Sequence, residues 1–574
     1  MINKEIAKIF YEIANYLRME EVAFKPYAYQ KAGFVIEALE EDLKEIYDKG
    51  GTKALEEIPA VGENIAKTIE EYIKTGKIKF LEKLKKKTPV KLDEIIRVEG
   101  MGVRKAKILY DKLNIKNLKD LEKKAKQHKI ASLFGFGEKT EKNILEAIAF
   151  LKKSKGRFLL DEIMPDVKEI IEKLKQLKEV EDISIAGSLR RMKETIGDAD
   201  ILVASKSPDK IMDFFVSMPS VVKVWSKGLT RSSIRVKQGF DIDLRVVSKK
   251  SFGSALQYFT GSKEHNIITR KIAIDKGLKL NEYGVFRGSK MIAGKTEKEV
   301  YNSIGLDLIP PEMREDQGEV EESLNKNLPD IINYNDIKGD LHCHSNWDGG
   351  NNSIQEMADM AQELGYDYIG ISDHTKFLRI ENGLNEKQLE QQRKEIDKIN
   401  SKFQSKGSKF RILQGAETNI LNDGSIDIKD SALKKLDYVI TGVHSNMKMS
   451  KSKMTERIIK AIKNPYINIL AHPTGRVLKK RGEYQIDMDK ILETAKSTKT
   501  ILEINSSPDR LDLKDVNIRK AKEMGIKMII NTDAHDKNRL KIIEFGISQA
   551  RRGWAEPKDI INTQPLSTLL KYFK

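Results

Sequence analysis

Between residues 337 and 574, short apolar runs alternate with segments of helical periodicity. Each run has the length of a buried parallel strand, and amphipathic helical sequence separates most of them. The runs lie within or end in DLHCHSNWD (340–348), IGISDH (369–374), LQGAE (413–417), YVITGVH (438–444), INILAHP (467–473) and IINTDAH (529–535). This alternation predicts a β/α barrel, which gathers the C-terminal ends of its strands at one face.

Histidines and carboxylates end these predicted strands, so we expect them to meet at the mouth of the barrel. Six of the eight histidines of the chain lie after residue 340. A single histidine would more often be a satisfied core residue, but six at strand ends favour a metal site. His342 and His344 are two apart on a strand and therefore face the same way. The nine candidate ligands are His342, His344, Asp348, His374, Glu417, His444, His472, Asp533 and His535.

Nine ligands are too many for one zinc ion, which takes about four. Nine ligands suit two or three divalent ions. The ions can be zinc, manganese or iron, because sites of imidazole and carboxylate ligands select only weakly among these metals. Closely spaced metal ions stabilise the attacking and leaving oxygens in phosphoester hydrolysis. The pattern therefore predicts a metal-dependent hydrolase in this half of the chain.

The first 150 residues are nearly all helical in pattern and contain a weak internal repeat. IPAVGENIAKTI (58–69), VEGMGVRKAKIL (98–109) and LFGFGEKTEKNIL (133–145) each join a short glycine-containing turn to a helix. Glycine lets the backbone approach a phosphate closely, and the amides of the following helix face the anion. The candidate DNA contacts in these helix–hairpin–helix motifs are Gly62, Gly100, Gly102, Gly135 and Gly137.

The centre of the chain carries a Gly-Ser turn followed by aspartates on a strand. In EDISIAGSLRRMKETIGDADILVAS (181–205), Asp198 and Asp200 are two apart on a predicted strand and share a face. The later strand FDIDLRVVS (240–248) offers Asp241 and Asp243, also on a common face. A third carboxylate from this neighbouring strand would complete a site for two Mg²⁺ or Mn²⁺ ions.

Composition agrees with a basic multidomain protein. Lys and Arg total 103 against 86 Asp and Glu, which gives a net charge of +17. A solvated lysine-rich surface would explain this charge, but the motifs make a polyanionic partner the better interpretation. The single cysteine excludes a disulfide framework and fits a reducing cytoplasm. We find no apolar stretch of membrane-spanning length and expect no membrane association.

The central motifs resemble those of the family X DNA polymerases, the repair type similar to DNA polymerase beta. GSLRR (187–191) matches the triphosphate-binding turn, and YFTGS (258–262) matches the nucleotide pocket. The resemblance implies catalytic roles for Asp198, Asp200 and Asp243, and selects Asp243 over Asp241. The implied dNTP contacts are Gly187, Ser188, Arg191, Gly197, Tyr258, Phe259, Gly261, Asn266 and Arg270; Lys25 matches a contact to a DNA 5′-phosphate.

The C-terminal motifs resemble the PHP (polymerase and histidinol phosphatase) family of metal-dependent phosphoesterases, with a match at all nine candidate ligands. The two resemblances together indicate the bacterial and archaeal form of family X polymerase. The implied fold class is multidomain: helical helix–hairpin–helix N-terminal domains, an α+β nucleotidyltransferase palm and thumb, and a distorted β/α barrel. The expected domains are residues 1–85 and 86–150 (helical), 151–250 (palm), 251–312 (thumb), 313–336 (linker) and 337–574 (PHP).

The implied function is short-gap filling on gapped or primer-template DNA with dNTPs, by a monomer that also has 3′–5′ exonuclease activity and possible abasic-site or 3′-end cleaning activity. A 5′-deoxyribose phosphate lyase activity is doubtful. The family motif puts Thr68 at the lysine nucleophile and Asn64 at a supporting lysine, and Lys67 lies on another helix face. Three alternatives stay open: a phosphomonoesterase barrel acting on small molecules, a template-independent or RNA nucleotidyltransferase, and a non-catalytic DNA-end-binding scaffold.

Overall fold

The chain divides into two compact units. The structure, a computed structural model, describes residues 2–39, 41–98, 101–153 and 156–573. The first unit extends to residue 155 and includes residues 479–482. The second unit contains residues 156–478 and 483–574, so the palm, the thumb and the barrel belong to one body.

Helices make up the first unit. Their apolar faces pack into one core that includes Ile6, Phe10, Ile69 and Leu109, all fully buried. The periodic spacing of these apolar residues is what makes each helix stable in this setting. The helices are α1 (Asn3–Met19), α2 (Lys25–Ala38), α3 (Leu43–Glu56), α4 (Glu63–Thr75), α5 (Lys79–Lys87), α6 (Leu92–Ile96), α7 (Val103–Leu113), α8 (Leu118–Lys126) and α9 (Glu138–Lys153).

The palm is built on a mixed sheet. Its elements are β1 (Phe158–Leu159), α10 (Leu160–Lys175), β2 (Asp182–Ala186), α11 (Gly187–Arg190), β3 (Thr195–Ile196), β4 (Asp198–Ala204), α12 (Pro208–Val216), β5 (Val221–Lys227), β6 (Arg231–Val236) and β7 (Asp241–Val247). The sheet order is β2-β4-β7-β6-β5, and only the β4–β7 pair is parallel. This parallel pair brings the starts of β4 and β7, which carry the aspartates, to the same edge.

The thumb follows as α13 (Phe252–Thr260), α14 (Lys263–Asp275), β8 (Lys279–Asn281), β9 (Gly284–Arg287), β10 (Lys290–Ala293) and α15 (Glu297–Ser303), with its three strands in an antiparallel sheet. The predicted linker contains a short helix, α16 (Glu319–Leu324). Its Glu319 is fully buried, and the carboxylate binds Nδ1 of His265 at 2.7 Å. The buried carboxylate of Glu319 thus attaches this segment to the thumb.

Parallel strands and helices form the C-terminal barrel. The strands are β11 (Gly339–Cys343), β12 (Tyr368–Ile371), β13 (Arg411–Gln414), β14 (Glu417–Asn419), β15 (Ile440–Gly442), β16 (Ile469–Leu470), β17 (Ile501–Asn505) and β18 (Met528–Asn531). The helices are α17 (Ile354–Glu363), α18 (Glu386–Ser405), α19 (Asp430–Leu433), α20 (Lys451–Ile462), α21 (Met488–Thr498), α22 (Asp515–Glu523), α23 (Ile543–Arg552) and α24 (Leu566–Leu569).

Two parallel sheets, β11-β12-β13 and β14-β15-β16-β17-β18, form the wall of the barrel. Isolated parallel bridges join Cys343 to Ala534 and His374 to Glu417, which links the two sheets in two places. This arrangement is a distorted barrel and confirms the predicted fold class. Within the described residues, the structure has no helix with the length and apolar character that a membrane crossing needs.

Candidate polymerase and metal sites

The three candidate catalytic carboxylates lie on adjacent strands of the palm. The parallel register of β4 and β7 pairs Asp200 with Asp243, and Asp198 opens β4 at an exposed position. Burial, followed by the charges of Asp198 and Asp243, raises the pKa of Asp200 to about 7. Carboxylates that repel one another in this way are the donor set that divalent cations neutralise.

Asp241 shares a face with Asp243 but has other partners. Its carboxylate accepts hydrogen bonds from Arg235 Nε at 2.8 Å and from Trp225 Nε1 at 2.8 Å. Asp243 accepts one from Arg231 Nη2 at 2.8 Å. Both carboxylates therefore have partners, and the strand register that pairs Asp243 with Asp200 supports the choice of Asp243 as the third carboxylate.

The predicted Gly-Ser turn folds as a one-turn helix, α11, that ends directly before Arg191. Gly187 has a φ of 62°, and a Cβ there would lie 2.0 Å from Asp200 Oδ2. Only glycine permits this close approach. The turn therefore lies against the carboxylate site, and Ser188, Arg191 and Gly197 are half-buried.

The candidate nucleotide-pocket residues lie on α13 and α14. Tyr258 and Phe259 make an edge-to-face pair with ring centroids 5.0 Å apart. Asn266 donates from Nδ2 to the Tyr258 carbonyl at 2.7 Å, and the Arg270 guanidinium lies 5.6 Å from the Tyr258 ring centroid. A Cβ at Gly261 would lie 3.2 Å from Arg191 Nη1, so the pocket and the triphosphate turn are adjacent.

All nine candidate ligands of the barrel converge on one buried site. Four groupings place ligand atoms within 4.8 Å of one another: His344, His374 and His535; His342, His344, Glu417 and Asp533; His374, Glu417 and His444; and His344, Asp348 and Asp373. The ninth candidate, His472, contacts Glu417 Oε1 through its Nε2 at 2.9 Å. Convergence from strands far apart in sequence is what the barrel topology predicts.

Glu417 lies at the centre of this cluster. Its two oxygens lie 2.8 Å from His374 Nδ1, 3.0 Å from His444 Nε2 and 3.2 Å from His342 Nε2. Burial alone would raise its pKa, but the neighbouring histidines outweigh burial and hold that pKa well below its ordinary value. The carboxylate is therefore ionised.

Buried polar atoms without partners show that the cluster fits metal ions. Although they lie close to one another, His342 Nε2, His344 Nε2, His374 Nδ1 and Glu417 Oε2 make no well-aligned hydrogen bond with the described residues. Buried polar atoms of this kind are costly unless a ligand satisfies them. Two candidate ligands, His472 and Asp533, also have positive φ values of 27° and 57°, a strain that concentrates at functional sites.

Glu503 is a site residue that the sequence analysis missed. It is fully buried in β17 and binds His342 Nδ1 through Oε1 at 2.6 Å. Its Oε2 accepts the His472 backbone N–H at 2.7 Å, and Asp340 accepts the backbone N–H of His342 at 3.0 Å. Carboxylates in this position orient the imidazole that holds a metal. The available signal was a glutamate inside the apolar run ILEIN, since a buried charge requires a partner.

The candidate DNA contacts lie at helix starts in the first unit. Lys25 is exposed and opens α2, Gly62 and Gly102 are the N-caps of α4 and α7, and Gly137 precedes α9. An added Cβ would meet no atom within 4 Å at Gly62, Gly102, Gly135 or Gly137. Gly135 has a φ of 83°, which itself favours glycine, but neither packing nor a left-handed φ requires glycine at Gly62, Gly102 or Gly137, which supports an external approach to the backbone there. Gly100 lies outside the described residues.

Four segments of the chain match known protein families. Residues 1–78 match a helix-hairpin-helix domain, and residues 92–149 match a SAM-like helix-hairpin-helix tandem. Residues 255–315 match the DNA polymerase beta thumb. Residues 340–507 match the PHP domain, the part that contains most of the candidate ligands.

One relative matches over the entire chain. The DNA polymerase/3'-5' exonuclease PolX of Bacillus subtilis (strain 168) is 36% identical over 579 residues and covers 100% of both chains. The chain belongs to the family X DNA polymerases that carry a PHP domain. Its thumb, helix–hairpin–helix motifs and PHP domain are all elements of that family, as the sequence analysis expected.

Two further relatives match only part of this family X chain. A probable phosphatase of Caldicellulosiruptor bescii is 29% identical over 250 residues, covering 42% of this chain and 96% of its own. A probable phosphatase of Thermoanaerobacter sp. (strain X514) is 37% identical over 134 residues, covering 22% of this chain and 52% of its own. The family and the clusters of histidine and carboxylate ligands together indicate divalent metal ions.

Proposed function

We propose that this chain is a DNA-directed DNA polymerase of the repair type that fills short gaps and also removes nucleotides from 3′ ends with its PHP domain. The observation that carries the proposal is the presence of two ligand sets in one compact unit: three aspartates at the edge of the palm sheet and nine ligands in the barrel. The full-length match to a protein named as a polymerase and exonuclease supports both activities.

In the palm, Asp198, Asp200 and Asp243 would hold Mg²⁺ or Mn²⁺. When bound, these ions activate the primer 3′ hydroxyl and neutralise charge on the triphosphate. Arg191 and Ser188 bind the phosphate oxygens, with Gly187 and Gly197 allowing close approach of the backbone. Tyr258, Phe259 and Gly261 line the sugar, and Asn266 and Arg270 face the nascent base pair.

In the barrel, the nine ligands would hold two or three ions of Zn²⁺, Mn²⁺ or Fe²⁺. When bound, such ions generate a nucleophilic water and stabilise the leaving oxygen of a phosphodiester. Glu503 orients His342 for this purpose. Arg510 lies with its Nε 3.6 Å from Asp533 Oδ2 and is a quarter exposed, so it can contact a phosphate oxygen at the mouth.

The substrates are gapped or primer-template DNA and dNTPs. The glycine turns of the first unit contact the DNA backbone without regard to sequence, and Lys25 contacts a 5′-phosphate. The high positive charge supports binding to DNA. We propose that the protein acts as a monomer in the cytoplasm, where its single cysteine, the buried Cys343, stays reduced.

A time course on a 5′-labelled primer that borders a one-nucleotide gap, in Mn²⁺ and with or without dNTPs, tests both activities. We expect extension with dNTPs and stepwise 3′ shortening without them. Extension alone would refute the exonuclease activity. The barrel would then be tested as a phosphomonoesterase, by hydrolysis of p-nitrophenyl phosphate. Shortening alone would refute the polymerase.

A further inference from the structure

Side chains of the PHP domain hold the turn that carries the candidate triphosphate ligands. Arg552, the last residue of α23, donates from Nη1 to the Arg191 carbonyl at 3.0 Å. Arg476 donates from both Nη atoms to Glu194, at 3.1 and 2.6 Å. A segment of the polymerase half therefore takes its position from residues of the barrel.

Glu315, in the predicted linker, is the centre of these contacts. Its carboxylate accepts from Arg191 Nε at 3.0 Å, from Arg552 Nη1 at 3.1 Å and from Lys193 Nζ at 3.1 Å. Burial alone would raise the pKa of Glu315, but the charges of Arg552 and Arg191 outweigh burial and keep that pKa low. Arg552 is itself anchored by Asp515 of α22.

These contacts define the direction of the Arg191 guanidinium. Its Nε binds Glu315, and its Nη1 donates to the Thr260 carbonyl beside the nucleotide pocket. Among the described residues, no hydrogen bond uses its Nη2. The fixed fork of a guanidinium therefore has a donor left for a phosphate oxygen.

We propose that Arg552 of the PHP domain is a positioning residue for nucleotide binding in the polymerase half, acting on Arg191 through Glu315. The inference rests on the proposed polymerase function. In the intact network, Oε1 of Glu315 is shared by Arg191 and Arg552. Without Arg552, this oxygen keeps only Arg191, and the carboxylate can recruit the Nη2 that the triphosphate needs.

The test compares Arg552→Met with Arg551→Met in the full-length protein. Arg551 is the matched control, because it crosses the same domain boundary to Glu312, at 2.7 Å, without contacting Arg191 or Glu315. The assay is steady-state dNTP incorporation at a one-nucleotide gap, with melting temperature and 3′ degradation measured on the same preparations. Fluorescent dNTP binding provides a readout that does not depend on turnover.

We expect Arg552→Met to raise the KM for dNTP about three- to thirtyfold, which lies within the coupling range of residues in one charged network, with a smaller change in kcat. Arg551→Met should stay within about twofold, because Arg551 bonds Glu312 and the Ile332 carbonyl and shares no partner with Arg191 or Glu315. Arg552→Lys should recover part of the loss because it restores the charge beside Glu315. The double variant Glu315→Gln with Arg552→Met should raise the KM by less than the two single effects combined, because both residues act through the same network.

An unchanged KM and unchanged dNTP binding in Arg552→Met would overturn the inference, as would an equal rise in Arg551→Met. If Arg552→Met fails to fold, Arg552→Lys and Glu315→Gln carry the test, and two unchanged KM values would overturn it in the same way. A wild-type protein that neither extends primers nor binds dNTP would refute the proposed polymerase function itself.

Discussion

Replacement of Glu503 by Gln should impair the PHP site without direct contact to substrate. The carboxylate is fully buried and binds His342 Nδ1 at 2.6 Å and the His472 backbone N–H at 2.7 Å. Glutamine keeps the shape but loses the charge. It also introduces an N–H group where Glu503 only accepts hydrogen bonds.

The expected loss follows from these contacts. Residues that orient metal-binding imidazoles change metal affinity or activity by about 10- to 100-fold when they are replaced. If the glutamine N–H faces one of the groups that donate to Glu503, the unsatisfied buried donor lowers the free energy of unfolding by about 1–3 kcal/mol. We therefore expect 3′–5′ degradation to fall by about 10- to 100-fold and metal to dissociate more readily. Primer extension should be preserved, because the hydrogen bonds of Glu503 with the described residues all lie within the barrel.

The assay measures 3′ shortening, primer extension and chelator-competed metal content on one preparation of each variant. The control is Glu493→Gln, which removes a carboxylate from an exposed position of α21 in the same barrel. If Glu503→Gln degrades DNA at the wild-type rate with unchanged metal content, the assignment of Glu503 as the residue that orients His342 is wrong.

Four further outcomes are expected. Asp200→Ala should reduce primer extension by at least about 10²- to 10³-fold in the gap-filling assay, since that is the usual cost of one transition-state contact, and normal extension would contradict the palm site. Combined His342→Ala and His344→Ala should abolish 3′ shortening but leave extension; persistent shortening would place the nuclease elsewhere. Burial raises the pKa of Glu297, but Arg314 and Arg190 outweigh burial and lower it to about 2. Because the pKa of Glu297 is lower in the folded than in the unfolded protein, its ionised form stabilises the fold by about 3 kcal/mol above pH 4.5, and this stabilisation is lost as pH falls toward 2. In chemical denaturation, the free energy of unfolding should therefore fall more steeply with acid in the wild type than in Glu297→Gln. Borohydride trapping on an abasic 5′ end should give no efficient adduct, because Thr68 occupies the nucleophile position.

The sequence reveals the barrel ligands because the signal is local. Each predicted ligand follows an apolar run, and a strand-end rule suffices to find it without knowledge of its neighbours. Glu503 carries no such signal, since its strand ILEIN ends in no histidine. Its role depends on a contact with His342, which lies 161 residues away in the chain.

In the palm, too, the local sequence pattern predicts some features and leaves others open. Alternation predicts the strand that begins at Asp198, but the Gly-Ser segment folds as a short helix in place of an open turn. The choice between Asp241 and Asp243 is open in the pattern, because both face the same way. The family resemblance selects Asp243, and the strand register supports that choice by pairing Asp243 with Asp200.

The sequence by itself determined the family, the order of the folded parts and the residues that end the strands, because periodicity and motif spacing are properties of neighbouring positions. The tertiary structure decided which charges meet. Glu315 lies in the predicted linker, and it meets Arg191 and, 237 residues further along the chain, Arg552. Buried charges must be neutralised by whatever the fold brings beside them, and that partner is not written next to them in the sequence.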